Sequence, residues 1–490
     1  MSTRRQLLRL GAASGIVGAT GGLAGLAGLA GQWGAAPATA GTAAPTASPV
    51  PPFTVPLTVP QTLRPVRRTA TTDYYSVTMH RRRLEILPGT RTEVFTYNGD
   101  LPGPTIHATS GRRVVVRQRN RLTMPTAVHL HGGATAPEDD GSGDATIPPG
   151  GERVYTYPNR QPHATLWMHD HTHHMEAEHL YRGLSSLYLL TDRTEAALPL
   201  PRGRFDVPLV LRDAHLDADA QLVWTMDDAD NRTTLLVNGR PWPRFEVQAR
   251  RYRLRLVNAS NLRFYLLRLA DGGDITVIGS DGGLLEAPVT MPYVLLSPGE
   301  RLDVVVDFAR YQPGTSVVLQ NLMGPGPAEQ VGQVMRFDVV PAKGPDRTSV
   351  PQRLRTLPPL PTPTVRRSIE LRMDEAGSGG HQAYIDGKVF DPARIDTTIA
   401  WGSTEEWTVT NANVVMPHNF HMHLVQFRVL DRNGAPADPT ESGLKDTVIV
   451  WPGQSVRLQA TFDTWRGVYP YHCHMVDHSA MGMMANLRIV

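Results

Sequence analysis

Cysteine is all but missing from this chain: Cys473 is the only one in 490 residues. That excludes an internal disulfide, and it excludes a structural zinc site built on two or four thiolates. Beyond Gly31 no run is long and apolar enough to span a bilayer. Charge is sparse, at 19% of residues, and residues 1–40 carry Arg4, Arg5 and Arg9 without a single acid. Removing that segment takes the formal net charge from +3 to zero, so no nucleic-acid or anionic-membrane partner is expected. Helical periodicity is also scarce, with no amphipathic pattern running beyond a few turns.

Turn residues, by contrast, abound, with 44 glycines and 41 prolines. Between them lie short runs of alternating apolar residues such as Val114 to Arg119, Arg253 to Val257, Leu302 to Phe308 and Val456 to Phe462. Short alternating runs bounded by Gly, Pro or Asn are strand signals, so the chain reads as all-β, and at roughly 150 residues per domain its length suggests about three domains. The N-terminus joins a basic start to a glycine-rich apolar stretch, Leu10 to Gly31, and an Ala38-Thr39-Ala40 cleavage pattern. This is expected to be a twin-arginine signal peptide over 1–40, with export to the periplasm or medium. Eight glycines between Leu10 and Gly31 argue against a retained anchor. Residues 41–68, rich in Pro, Ala and Thr, read as an extended tether, and the Pro-rich stretch 341–365 as an internal linker.

An internal repeat organises what lies between. The turn pair Asn98-Gly99 recurs as Asn238-Gly239 and Asp386-Gly387, and each is followed by a strand ending in Asn120, Asn258 or Asn411. A Pro-Gly turn then returns at Pro149-Gly150, Pro298-Gly299 and Pro452-Gly453. One β-sandwich unit is thus expected three times, over 69–200, 201–340 and 366–490. Steps of 20 and 22 residues lead from Pro149 to His169 and His171, and from Pro452 to His472 and His474. The same steps from Pro298 reach Val318 and Gln320, so the central unit is expected to be structural.

Ten of the 18 histidines fall in four segments: "HLHGG" (His129, His131), "WMHDH" (His169, His171), "HNFHMH" (His418, His421, His423) and "YHCHMVDH" (His472, His474, His478). Side chains at i and i+2 of a strand share a face, so each H-x-H aims two imidazoles one way, which suits a metal. A thiolate with two imidazoles and a weak thioether is the donor set of a blue copper site. Cys473, His418 and His478 supply the first three, and Met475, Met481, Met483 and Met484 are the thioethers at hand. With His472 and His474 directed to the opposite face, Cys473 becomes a covalent bridge between two metal groups.

The four motifs in this order, H-x-H, H-x-H, H-x-x-H-x-H and H-C-H-x-x-x-H, resemble those of three-domain multicopper oxidases, the laccases, bilirubin oxidases and cuprous oxidases. "HLHGG" with "PEDDG" and the ending "GMM" are most similar to the bacterial laccase and bilirubin oxidase group. The resemblance implies three cupredoxin-like Greek-key β-sandwich domains and four copper ions. It implies type 1 copper on His418, Cys473, His478 and Met483, and type 2 copper on His129 and His421. The coupled type 3 pair would take His131, His169, His171, His423, His472 and His474.

The implied activity is one-electron oxidation of a small aromatic or phenolic donor, entering through the edge of His418 and relayed by Cys473, with O2 reduced to water. Cu(I) or another metal ion is the alternative donor, and a non-catalytic envelope protein on the same fold the alternative class. Asp140 stands where that group keeps a proton-delivering carboxylate. Where the group usually has a glutamate after the last type 1 histidine, this chain has Ser479; Asp477, Glu176 and Glu178 are the candidates to replace it. His163, His173, His174 and His179 read as solvated loop histidines.

Overall fold

The computed structural model describes residues 50–143, 145–374 and 382–490. The twin-arginine segment and the first part of the 41–68 stretch lie outside the described residues. Six sheets form three pairs, one pair per repeat unit.

In the first unit a five-stranded sheet, whose long strands are Thr72–Leu84 and Arg113–Asn120, faces a four-stranded one. The order in the smaller sheet is Gly103–Thr109, Ser185–Thr191, Ala164–Asp170, Val128–His131. Residues of Arg113–Asn120 alternate between exposed and buried, and Val114 and Val116 meet Leu166, Met168 and Tyr188 in the core between the sheets. The third unit repeats this plan with six- and five-stranded sheets, and the central unit has seven and five strands. The four expected strands are found as Arg113–Asn120, Arg251–Asn258, Arg301–Asp307 and Ser455–Thr461. Among the described residues the longest helix is Glu176–Arg182.

The repeat is visible in the hydrogen bonding. Both residues of each hairpin pair sit at positive φ, from 50° to 95°, the conformation that Asn-Gly and Asp-Gly adopt at least cost. Asn120 Nδ2 donates to the carbonyls of Met124 and Ile147, Asn258 Nδ2 to those of Arg263 and Leu296, and Asn411 Nδ2 to those of Met416 and Val450. Each of these asparagines also accepts from the backbone N–H two residues on, so one buried amide pins the same corner in every unit.

Both linker readings need correction where the residues are described. From Phe53 the supposed tether is strapped down: Phe53 and Leu57 N–H donate to the carbonyls of Trp242 and Arg244, and Leu63 N–H to that of Thr105, each at 2.8 Å. An extended segment has unpaired N–H groups, and exposed strand edges accept them. The 341–365 stretch likewise buries Leu354 and Leu357 against the central unit, with Leu354 N–H on the Glu286 carbonyl.

The strands Val128–His131, Ala164–Asp170 and His418–Met422 are buried at every position. One face meets its own core, and the other meets the junction of the first and third units. That junction is where the histidines fall.

Candidate metal centre

Strand register sets the imidazoles side by side. His129 pairs with His169 across the first unit's sheet, and His421 with His472 across the third's. Across the junction His129 stacks on His423 with ring centroids 3.7 Å apart, and His131 on His421 at 3.9 Å. His171 Nε2 lies 3.2 Å from His472 Nε2, which is 3.3 Å from His423 Nε2. His474 closes the group, its ring centroid 4.6 Å from His131 and 5.2 Å from His169. All eight are buried.

Six of the eight rings, all but those of His171 and His474, are held through one nitrogen by a carbonyl or carboxylate, leaving the other for a metal. Nδ1–H of His129, His169, His421 and His472 donates to the carbonyls of Asp140, Asp170, Asp446 and Cys473, and Nδ1–H of His423 to Asp140 Oδ2. His131 is turned the other way, its Nε2–H on Asp446 Oδ1 at 2.9 Å. Among the described residues no protein partner meets Nε2 of His129, His169 or His421, Nδ1 of His131 or His171, or either nitrogen of His474. Such convergent, unpartnered buried nitrogens are costly unless a cation takes them. Burial pushes all eight imidazoles below their ordinary pKa, His169 to about 4, and repulsion between rings adds to this for the other seven, which favours the neutral form that binds metal. The arrangement therefore fits metal ions.

A second set lies on the other side of Cys473. Its Sγ is 3.9 Å from His418 Nδ1 and 3.8 Å from His478 Nδ1, and these two nitrogens are 3.1 Å apart. Met483 is fully buried and backbone-bonded to both strand and helix: Cys473 N–H donates to its carbonyl, and its N–H to that of His478. His472 and His474, whose rings lie within 29° of parallel, face the first set. The tripeptide thus belongs to both sets, as the alternation of side chains predicts.

Other expectations change. His418 does not offer an open edge, because its Nε2–H is engaged by Asn413 Oδ1 at 2.9 Å. His478 Nε2 instead lies 3.8 Å from the carboxylate of Asp227, a partly exposed residue of the central unit. Asp477 fixes that loop by accepting from the Asp227 backbone and from Arg232. His163 and His179 are not solvated: they are buried, with Nδ1 on Asp192 and Asp170 respectively. His173 is half-buried, and only His174 of the four is exposed.

Asp140 is buried with one oxygen on His423 and the other 3.5 Å from His129 Nδ1 without a hydrogen bond among the described residues, and burial pushes it up to about 8. Of the acids that could stand in beside Ser479, Asp477 is committed to Arg232 and Asn261, and Glu178 to Arg182. Glu176 is the one that meets Ser479, whose Oγ donates to its Oε1 at 3.1 Å; burial raises Glu176 to about 8. Asp446, Asn413, Asn419, Asp227 and Arg301 are site residues that sequence reasoning did not single out. Asn419 lies inside the HNFHMH motif but is no metal-ligand type, the other four lie outside the motifs, and tertiary contact reveals all five.

Family models described as multicopper oxidase match residues 78–195, 205–333 and 359–490. The chain is 33% identical to a laccase of Bacillus subtilis over 88% of its own length and 97% of that protein's. It is 36% identical to a bilirubin oxidase of Albifimbria verrucaria, covering 89% of this chain and 81% of that one. Among solved structures, a laccase from Pediococcus acidilactici superposes with a TM-score of 0.83 at 36% identity, covering 92% of this chain and 96% of its own.

Proposed function

The chain belongs to the multicopper oxidase family, and from that premise we propose that it is a laccase-type oxidase, drawing single electrons from phenolic or similar aromatic donors and reducing dioxygen to water. The observation that carries the reading is the sharing of one tripeptide, His472-Cys473-His474, between a thiolate-imidazole set and an eight-imidazole set.

In this reading His418, Cys473 and His478, with Met483 as a weak thioether donor, would hold type 1 copper. His129 and His421 would hold type 2, and His131, His169, His171, His423, His472 and His474 the type 3 pair. When bound, copper supplies the one-electron couple and the dioxygen chemistry.

The protein supplies the rest. Carbonyls and carboxylates fix the tautomer and plane of six cluster imidazoles, while the rings of His171 and His474 are set by packing against their neighbours. The site is closed to bulk water, which strengthens every charge interaction inside it. Asp140, on the cluster histidine His423, and Glu176, on Ser479 next to His478, supply two buried acids for proton delivery. At the donor end Asp227 accepts the hydroxyl hydrogen of a phenol seated against the edge of His478, so proton and electron leave from one place.

One observation favours a second reading, oxidation of a low-valent metal ion such as Cu(I): Met226, 36% exposed, precedes Asp227. A thioether thus neighbours in sequence the carboxylate that faces His478. The stretch from Ser368 to Trp407 adds no methionine surface, since its one methionine, Met373, is core. Asp227→Asn is expected to lower kcat/KM for a methoxyphenol by about tenfold while leaving the blue absorbance intact. A larger loss with Cu(I) than with the phenol would favour the metal-ion reading, and no change with either donor would remove Asp227 from the donor site.

Export by the twin-arginine machinery, to the periplasm or medium, is part of the same proposal, because that route carries folded proteins and Arg4-Arg5 has the required form. Exchange of both arginines for lysine should leave the protein in the cytoplasmic fraction. Unimpaired export of that variant would refute the route.

A further inference from the structure

The central unit has no histidine pair, and its expected role is purely structural. Its Pro298-Gly299 turn nevertheless reaches both donor sets. Gly299, at φ +85°, lies against the His474 ring, and a β-carbon there would come within 2.6 Å of Nδ1. The Pro298 carbonyl accepts from Asn419 Nδ2 at 2.7 Å, and Asn419 Oδ1 accepts from the Met475 N–H at 2.9 Å and from Cys473 Sγ at 3.5 Å.

Two residues further on, Arg301 enters the junction with all five N–H donors engaged. Nε donates to the carbonyl of Thr165 at 3.0 Å, Nη1 to the Gly299 carbonyl at 2.9 Å and Asp446 Oδ1 at 2.6 Å, and Nη2 to the Asp281 carbonyl at 3.2 Å and Asp446 Oδ2 at 2.5 Å. Thr165 lies on the first-unit strand that carries His169, and Asp446 belongs to the third unit. One guanidinium joins all three units.

What it holds is the support of two cluster histidines. Asp446 Oδ1 accepts from His131 Nε2 at 2.9 Å, and the Asp446 carbonyl accepts from His421 Nδ1 at 2.7 Å. The two rings lie within 16° of parallel. Resting on the copper reading above, we propose that Arg301 is a positioning residue for the cluster: its fork on Asp446 orients His131, whose free Nδ1 would serve the type 3 pair, and His421, whose free Nε2 would serve type 2 copper.

The residue after His131 fits this role. Gly132 has φ +80°, and a β-carbon there would lie 2.7 Å from both Arg301 Nη2 and Asp446 Oδ2, displacing the fork. Lysine cannot replace it, because an ammonium has three donors and no planar fork to match a carboxylate. The bidentate pair also keeps Asp446 ionised: burial favours its neutral form, and Arg301 more than offsets this, holding it below the ordinary carboxylate range.

Arg301→Lys keeps the charge and removes the fork. In the copper-loaded variant the type 1 absorbance should match the parent's. The type 2 electron paramagnetic resonance signal should change its hyperfine splitting or vanish, and kcat should fall roughly tenfold or more at unchanged donor KM. A parental type 2 signal in the copper-replete variant overturns the proposal. Should that variant fail to fold, Asp446→Asn, which keeps an oxygen for His131, is read by the same signal: a change supports the proposal and an unchanged signal overturns it. A parent chain without any type 2 signal after full copper loading rejects the copper reading, and this proposal with it.

Discussion

Replacing Cys473 with serine is expected to remove the blue colour of the copper-loaded protein and take dioxygen consumption to background, with the fold retained. The thiolate is the soft donor that makes a blue site, and a serine hydroxyl neither ionises near neutral pH nor binds Cu(I) well. Cys473 is also flanked directly by two cluster histidines, His472 and His474, so its own backbone links the two sets. The structural cost is small. The position is fully buried, Asn419 Oδ1 is 3.5 Å away to accept a hydroxyl, and a hydrogen-bonded oxygen there costs about 1–2 kcal/mol. Visible absorbance, circular dichroism and oxygen uptake on one sample decide it. A variant that stays blue and active would sink the ligand assignment.

His171→Gln should separate the two centres instead of abolishing both. His171 lies in the first unit, 3.2 Å from His472 Nε2, and takes no part in the set around Cys473. The variant should be as blue as the parent, and an anaerobic phenol should bleach it at the parental rate. Readmitted air should then restore the colour about a hundredfold more slowly, because one imidazole of the oxygen-reducing set is gone. Recovery at the parental rate would show that His171 is not part of that set.

Much of this site was legible because metal binding imposes short, rigid spacings. Two imidazoles on one strand face need only an i, i+2 pattern, so eight histidines stood out before any contact was known, with His418, Cys473 and His478 in the same segments. The three-unit fold was legible for the same reason: positive-φ hairpins and buried corner asparagines fix residue identity locally.

What escaped is what depends on units meeting. Asp446 and Arg301 are unremarkable strand-edge residues until the second and third units close on each other, 145 residues apart in sequence. Glu176 reaches Ser479 only because the helices Glu176–Arg182 and Val476–Ala480 pack together. His163 and His179 look like loop residues by their neighbours and are buried by tertiary contacts with Asp192 and Asp170. The Pro-rich stretches were misread for a related cause, since composition reports extension and not the sheet edges it pairs with.

The central claim is that electrons collected beside His478 pass through Cys473 to the histidine cluster and there convert dioxygen fully to water. Its most direct test is the ratio of a one-electron phenolic donor oxidised to dioxygen consumed by the copper-replete protein, with peroxide assayed in the same vessel. The account predicts about four donors per dioxygen and no peroxide. About two donors per dioxygen, with peroxide accumulating, would contradict it.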